Sequence, residues 1–329
     1  MLGVAVLGCG RIGRVHAKNL ARHPRVRLVS VYDVASALAQ QTAQEFGAKA
    51  AESAEQVLAD GDVDAILIAS PTATHVPLLT AAVKVGKAVL CEKPIDLDLA
   101  RAESCWQEIA SCRPVVMIGF NRRFDPSFRA LRDRLHAGEI GSAEMVVITS
   151  RDPAPPPPDY IPGSGGLFRD MTIHDLDMAR HLVGDIAEVQ ALGANLIDPA
   201  IGALGDIDTC AITLRAASGA LVQINNSRRC VYGYDQRMEV FGAKGMLQAG
   251  NRLATSVEHW GSVGIAQRDA LPDFFIERYR EAYEIEIDHF VTGVQQQAAV
   301  SPDFADGMAA LRLANAAEQS LREQRAVRI

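Results

Sequence analysis

The 329 residues suffice for about two domains at roughly 150 residues each, and an apolar share of 48% is enough to fill two ordinary cores. Asp and Glu number 40 against 33 Lys and Arg, a formal charge of -7 with no basic run, so a nucleic-acid groove or a polybasic membrane patch has no electrostatic footing and a small-molecule partner is expected. No apolar stretch approaches the ~18 residues of a membrane span, and the chain opens directly on a glycine motif, so the expected location is the cytoplasm.

From residue 2 to about 119, short apolar runs at 4–7, 27–32, 65–69, 88–91 and 115–118 alternate with alanine-rich segments at 12–22, 35–46, 54–58, 75–85 and 97–110. The apolar residues of those segments recur at three-and-four spacing, which predicts helices. The β-α-β rhythm predicts a parallel sheet covered on both faces, a Rossmann-type domain over residues 1–120. Residues 121–329 read as a second α/β domain for substrate binding and oligomerisation. It starts with a helix at 126–136 and a strand at 144–149. The proline-rich loop 153–166 is expected to lie extended, without regular structure. A large, mostly antiparallel open sheet follows between 187 and 257, with turns at Ser218-Gly219 and Ala243-Lys244-Gly245, and helices at 272–294 and 302–323 close the chain. No set of helices is evident that would cover both faces of that sheet, so one face is expected to bury against another subunit. The six cysteines, Cys9, Cys91, Cys105, Cys112, Cys210 and Cys230, form no C-x-x-C pair and read as small buried residues.

The first strand leads into Gly8-Cys9-Gly10-Arg11-Ile12-Gly13 and then a helix, the G-x-G-x-x-G pattern in the context that gives it meaning. Gly8 permits the tight turn, Gly10 lets a pyrophosphate approach the backbone, Gly13 allows helix to pack on strand, and the helix N-terminus offers N–H groups to the anion. Twenty residues beyond Gly13 the second strand ends at Asp33, whose carboxylate suits a ribose diol and opposes a 2'-phosphate. Val34, Ala35 and Ser36 bring no arginine to hold such a phosphate, so NAD is expected over NADP. Read alone, Asp33 also suits a helix N-cap. Two other strand ends, Ser70-Pro71-Thr72-Ala73-Thr74-His75 and Glu92-Lys93-Pro94, belong to the same binding edge, because ligands of open α/β sheets sit outside the carboxyl ends of the strands. His75 reads as a residue that orients the following helix or as one that does chemistry.

Lys93, followed by Pro94, is expected to project toward the cofactor, although a lysine flanked by an acid is also an ordinary surface ion pair. Gly165-Gly166-Leu167-Phe168-Arg169-Asp170-Met171-Thr172-Ile173-His174 adds the second half of a site. On one helix Asp170 and His174 stack at i, i+4. Oxidising a secondary alcohol requires a base for the hydroxyl proton, and histidine as a residue type suits it. Lys93 would hold the same oxygen, and Asp170 would orient another hydroxyl. A metal reading of Asp170 and His174 finds no third ligand at a recognisable spacing, and none is expected.

With these residues the chain resembles the Gfo/Idh/MocA oxidoreductase family, and within it the inositol 2-dehydrogenases. The resemblance covers essentially the whole length. It rests on the Gly8–Gly13 fingerprint, on Glu92-Lys93-Pro94, on Asp170 and His174 in a G-G-x-x-x-D-x-x-x-H frame, and on Gly119-Phe120-Asn121-Arg122-Arg123-Phe124-Asp125, Ser150-Arg151-Asp152-Pro153 and Tyr232-Gly233-Tyr234-Asp235-Gln236-Arg237. It implies NAD-dependent oxidation of myo-inositol to the 2-keto product by direct hydride transfer, with scyllo-inositol, other polyols or sugars as alternative substrates. It implies that Lys93, Asp170 and His174 carry the chemistry without a metal. It further implies that Gly8, Gly10, Arg11, Ile12, Gly13, Asp33, Ser70, Thr72, His75, Glu92 and Lys93 hold the cofactor, that Arg122, Asp152 and Tyr234 join the catalytic residues on the substrate, and that the chain forms a homo-oligomer, a tetramer before a dimer. Each substrate residue has a plainer reading: Arg122 and Arg123 as a pair of structural salt-bridge arginines at the hinge, Asp152 as a turn residue, Tyr234 as a half-buried sheet aromatic. A catalytically silent NAD-binding sensor would be signalled by loss of Lys93 or His174, and both are present.

Overall fold

The computed structural model describes residues 1–262 and 264–329, and these form two compact units, Met1–Phe124 with Glu281–Leu311 and Asp125–Arg280 with Arg312–Ile329. The first unit carries strands β1 (Leu2–Leu7), β2 (Val26–Tyr32), β3 (Lys49–Ala50), β4 (Ala65–Ile68), β5 (Ala88–Glu92) and β6 (Val116–Gly119). They form one parallel sheet in the order β3-β2-β1-β4-β5-β6. Helices α1 (Arg11–Arg22), α2 (Ser36–Phe46), α3 (Ala54–Ala59), α4 (His75–Lys84) and α5 (Leu99–Ile109) make the connections. All six residues of β1 are buried, which is why this stretch reads as a continuous apolar run rather than an alternation. The two-residue, exposed β3 carries no such run and lies outside the sequence expectation.

The expected single boundary at residue 120 differs from these units, whose first boundary falls after Phe124 and in which Glu281–Leu311 returns to the first. The helix Arg280–Gln296 buries Ala282, Tyr283, Glu286, Ile287, Phe290, Val291 and Gly293, a stripe at helical spacing. Burial of a side chain such as Phe290 or Ile287 contributes about 1.5–3 kcal/mol. Gly293 is needed for this packing: a Cβ there would lie 2.3 Å from Val300 Cγ1.

The second unit begins with α6 (Pro126–His136), whose N-cap Asp125 accepts from the N–H groups of Ser127 and Phe128. Asp125 also pairs with Arg278, both side chains being fully buried, and the guanidinium lies over the rings of Phe128 and Tyr279 at 5.3 and 4.8 Å. Its strands are β7 (Ala143–Arg151), β8 (Ile186–Ala194), β9 (Thr209–Ala216), β10 (Leu221–Ser227), β11 (Asp235–Gly242), β12 (Gly245–Ala249), a separate hairpin of β13 (Glu258–Gly261) and β14 (Gly264–Arg268), and β15 (Val327–Arg328). The large sheet runs β12-β11-β7-β10-β9-β8-β15, antiparallel throughout except for the β7–β10 pair. The turns expected at Ser218-Gly219 and at Ala243-Lys244-Gly245 close the β9–β10 and β11–β12 hairpins, and Gly219 takes the φ of +95° that its turn requires.

Burial in β9 alternates: Cys210, Ile212, Leu214 and Ala216 are buried while Ala211, Thr213 and Arg215 are exposed. On the exposed face Met246, Phe241, Met145 and Leu221 stand opposite one another in register across β12, β11, β7 and β10, and the first three are 50%, 49% and 42% exposed. The helix α7 (Ile173–Val183) follows a π-helical turn at Phe168–Thr172, and the proline loop, expected to be irregular, contains a single helical turn at Ile161–Ser164 with Pro162 at its second position, where the missing N–H costs nothing. The remaining long helices are α8 (Arg280–Gln296) and α9 (Phe304–Glu323). No helix among the described residues is long and apolar enough to cross a membrane.

Candidate functional site

In the first unit the sequence motifs gather at one edge, because parallel strands place all their carboxyl ends together. Gly8 follows β1, Asp33 follows β2, Ser70 follows β4, Lys93 follows β5, and the short helical turn Asn121–Phe124 with Arg122 follows β6. Gly8 takes φ +102°, and a Cβ there would lie 2.5 Å from the backbone of Ala69 and Ser70. A Cβ on Gly13 would lie 1.9 Å from the carbonyl oxygen of Gly8, so the helix can reach the strand only without one. Gly10 is the N-cap of α1 and brings no capping side chain, and a Cβ there would meet nothing within 4 Å. The first turn of α1, starting with exposed Arg11 and half-buried Ile12, thus offers open backbone N–H groups and no acidic residue, which fits a pyrophosphate.

Asp33 accepts from the N–H of Cys9 at 2.7 Å on Oδ2 and from the N–H of Ala35 at 2.8 Å on Oδ1. Each carboxylate oxygen has two acceptor positions, so the side chain is oriented and still able to accept from a ribose diol. It does not cap α2, whose N-cap is Ala35. At the third strand end, the Ser70 and Thr74 hydroxyls lie 2.6 Å apart and Thr72 opens a short 3-10 turn. His75 is buried, with Nδ1 2.8 Å from the Pro94 carbonyl and Nε2 2.8 Å from the Ser70 carbonyl. Burial pushes its pKa down, against the two carbonyls, which favour the charged form. Its position is that of a clamp joining the Ser70 and Lys93-Pro94 loops. Glu92 turns into the unit, its Oε1 2.7 Å from Nε2 of buried His16 on α1. Lys93 is half-buried and Arg122 buried, while Arg123 is the structural member of its pair, donating to Asp306 at 3.0 Å and Ser301 at 3.2 Å.

In the second unit Asp170 and His174 lie on one continuous helical run, half-buried, but Asp170 stands in the π turn and His174 in the first turn of α7. Such turns are rare and concentrate at functional sites. Asp170 Oδ2 accepts from Arg228 Nη1 at 3.1 Å and Oδ1 from the Tyr160 hydroxyl at 3.0 Å. Beneath it, Thr172 donates to Asn226, Asn226 donates to Asp175 at 2.8 Å, and Ser150 donates to Asp175 at 2.6 Å, so the helix is pinned to β7 and β10 through buried polar groups. Asp152 directly follows β7, its N–H on the Ser227 carbonyl at 2.9 Å. Tyr234 is buried immediately before β11, edge-on to Tyr279 with ring centroids 6.0 Å apart. Cys210, beside this network, has its thiol pushed up to about 12, chiefly by burial.

Residues 2–120 match the model of an oxidoreductase family described by its NAD-binding Rossmann fold, and residues 128–248 match the GFO/IDH/MocA C-terminal domain. The chain belongs to the Gfo/Idh/MocA oxidoreductase family. It is 47% identical over 325 residues to an inositol 2-dehydrogenase of Rhizobium meliloti (strain 1021), covering 98% of each chain. The crystal structure of a myo-inositol dehydrogenase from Corynebacterium glutamicum ATCC 13032 superposes with a TM-score of 0.97 at 49% identity, over 100% of this chain and 99% of that one. A Lactobacillus casei myo-inositol dehydrogenase in complex with NAD(H) and myo-inositol does so with 0.90 at 26% identity, over 100% and 97%. NAD is therefore the cofactor of the Rossmann-fold part of this Gfo/Idh/MocA oxidoreductase, residues 2–120.

Arg228 and Tyr160, which contact Asp170, and Asp206, which pairs with Arg228, lie outside the sequence-based site. Arg228 sits in Ser227-Arg228-Arg229, where nothing local distinguishes the buried arginine from its neighbour. Tyr160 lies in the proline loop, which reads as mere surface. The guanidinium bears on the metal reading too, since a divalent cation on Asp170 would stand beside a buried positive charge.

Proposed function

We propose that the protein is an NAD-dependent inositol 2-dehydrogenase that oxidises myo-inositol to the 2-keto product. The observation that carries this reading is the full-length likeness to inositol dehydrogenases together with the presence of Lys93, Asp170 and His174 in this sequence. Gly8, Gly10, Arg11, Ile12, Gly13, Asp33, Ser70, Thr72, His75, Glu92 and Lys93 form the cofactor side, with Glu92 and His75 acting by holding the loops. Bound NAD supplies the acceptor for the hydride that leaves the carbinol carbon. His174 takes the hydroxyl proton as general base. The Lys93 ammonium donates to the same oxygen and stabilises its developing negative charge. Asp170 accepts from a second ring hydroxyl. Arg122, Asp152 and Tyr234 supply further donors and acceptors, as a polyhydroxylated ring requires.

The protein acts in the cytoplasm as a homo-oligomer, a tetramer in preference to a dimer. The runner-up keeps this mechanism with scyllo-inositol or another polyol. A panel of inositol isomers and aldoses, assayed for NAD reduction with the purified protein, separates the two. We expect myo-inositol to give the highest kcat/KM. A different polyol standing clearly above it would move the assignment, and no reduction with any of them would end it.

A further inference from the structure

Asp170 is held by a device that proton transfer alone does not explain. Arg228, just past β10, has one of the largest fully buried side chains of the protein, at 1% exposure. Its Nη1 donates to Asp170 Oδ2 at 3.1 Å, and its Nη2 lies 3.5 Å from Asp206 Oδ2. Asp206 is itself fixed, because its Oδ1 accepts the N–H of Leu167 at 2.9 Å. Gly166, at φ +79°, leaves room for this contact, since a Cβ there would lie 2.8 Å from that same oxygen. Leu167 is the residue from which the π turn Phe168–Thr172 starts. One buried guanidinium thus connects the carboxylate that fixes the start of the turn with the carboxylate carried in the turn.

A guanidinium is suited to this because its donors are arranged in a rigid planar fork, whereas an ammonium is a point charge. A cation removed from water persists only beside opposite charge, so Arg228 and its two carboxylates constrain one another. We propose that Arg228, anchored by Asp206, is a positioning residue for the dehydrogenase reaction: it sets the orientation of Asp170 by holding Oδ2 and the turn that carries it. The inference rests on the reading that Asp170 serves the substrate.

Arg228→Lys keeps the buried charge and loses the fork. We would measure kcat and KM for myo-inositol, Kd for NAD and thermal unfolding for Arg228→Lys, Asp170→Asn and the double variant. The expected result is a folded Arg228→Lys protein with unchanged NAD affinity and kcat/KM lowered about 10- to 100-fold, the range of one charge-assisted hydrogen bond. The double variant should be no worse than Asp170→Asn alone, because the arginine acts only through Asp170, whereas a merely structural role would give losses that multiply. Multiplying losses, or wild-type kcat/KM in Arg228→Lys beside an impaired Asp170→Asn, would overturn the positioning role. Wild-type activity in Asp170→Asn would instead overturn the place of Asp170 in the reaction, and with it this inference. If Arg228→Lys does not fold, Asp206→Asn enters the same cycle under the same criteria.

Discussion

Asp33 shows how a single carboxylate acquires a function from its neighbours. With Cys9 and Ala35 N–H groups on its two oxygens at 2.7 and 2.8 Å, the carboxylate is held at the carboxyl end of β2, where the proposed site has the ribose diol. Asp33→Ala should weaken NAD and relax the preference over NADP, read as the ratio of kcat/KM for the two cofactors. A wild-type enzyme that already used them equally would contradict this role. For His174, general-base assistance is worth about 10²- to 10⁴-fold, so His174→Asn should lower kcat by that order with NAD affinity unchanged. The pH dependence that a general base imposes on kcat should also be lost in the variant. Retained kcat with a raised KM would move the base role to Lys93. The glycines, Asp33, Lys93, Asp170 and His174 were legible as candidates because their spacing places them at strand ends or on one helical run. Arg228 was not, because which of two adjacent arginines is buried depends on what packs over the end of β10.

Among the elements, α8 carries the most unusual group. Glu286 is fully buried, and neither carboxylate oxygen has a hydrogen-bond partner among the described residues. Burial first, and the charge of Glu92 second, push its pKa well above the usual carboxylate range. A raised acid pKa means that the folded state favours the neutral form. The stability this provides is complete below the unfolded value near 4.5 and is lost as pH climbs through the raised folded value. Glu286→Gln, neutral at every pH, should therefore gain in Tm over the wild type as pH rises from about 5 to 9. A Tm difference independent of pH would contradict the assignment. The helical stripe of α8 was legible as a pattern, yet periodicity says only that a helix has a buried face and not which sheet it covers. That is why residues 281–311 were expected with the second domain. The π turn at Asp170 was hidden for a similar reason, since its residues also suit an α-helix.

At the scale of the whole molecule, the alternation of β7 through β12 made the open sheet legible, along with its half-covered state. Register adds what alternation alone does not show, the row Met246, Phe241, Met145 and Leu221 across four strands. An exposed apolar row of this kind is the surface on which the proposed homo-oligomer would form. A second copy of the chain on it would make Phe241→Lys shift light scattering toward the monomer mass of 35.4 kDa. A wild-type protein that already scattered as a monomer at micromolar concentration would exclude the oligomer. The central claim, that a ring carbon of the polyol gives its hydride directly to NAD, is tested by supplying myo-inositol deuterated at the carbinol carbon and weighing the reduced cofactor by mass spectrometry. We predict one deuterium in nearly every molecule of reduced cofactor formed; reduced cofactor without the label would contradict it.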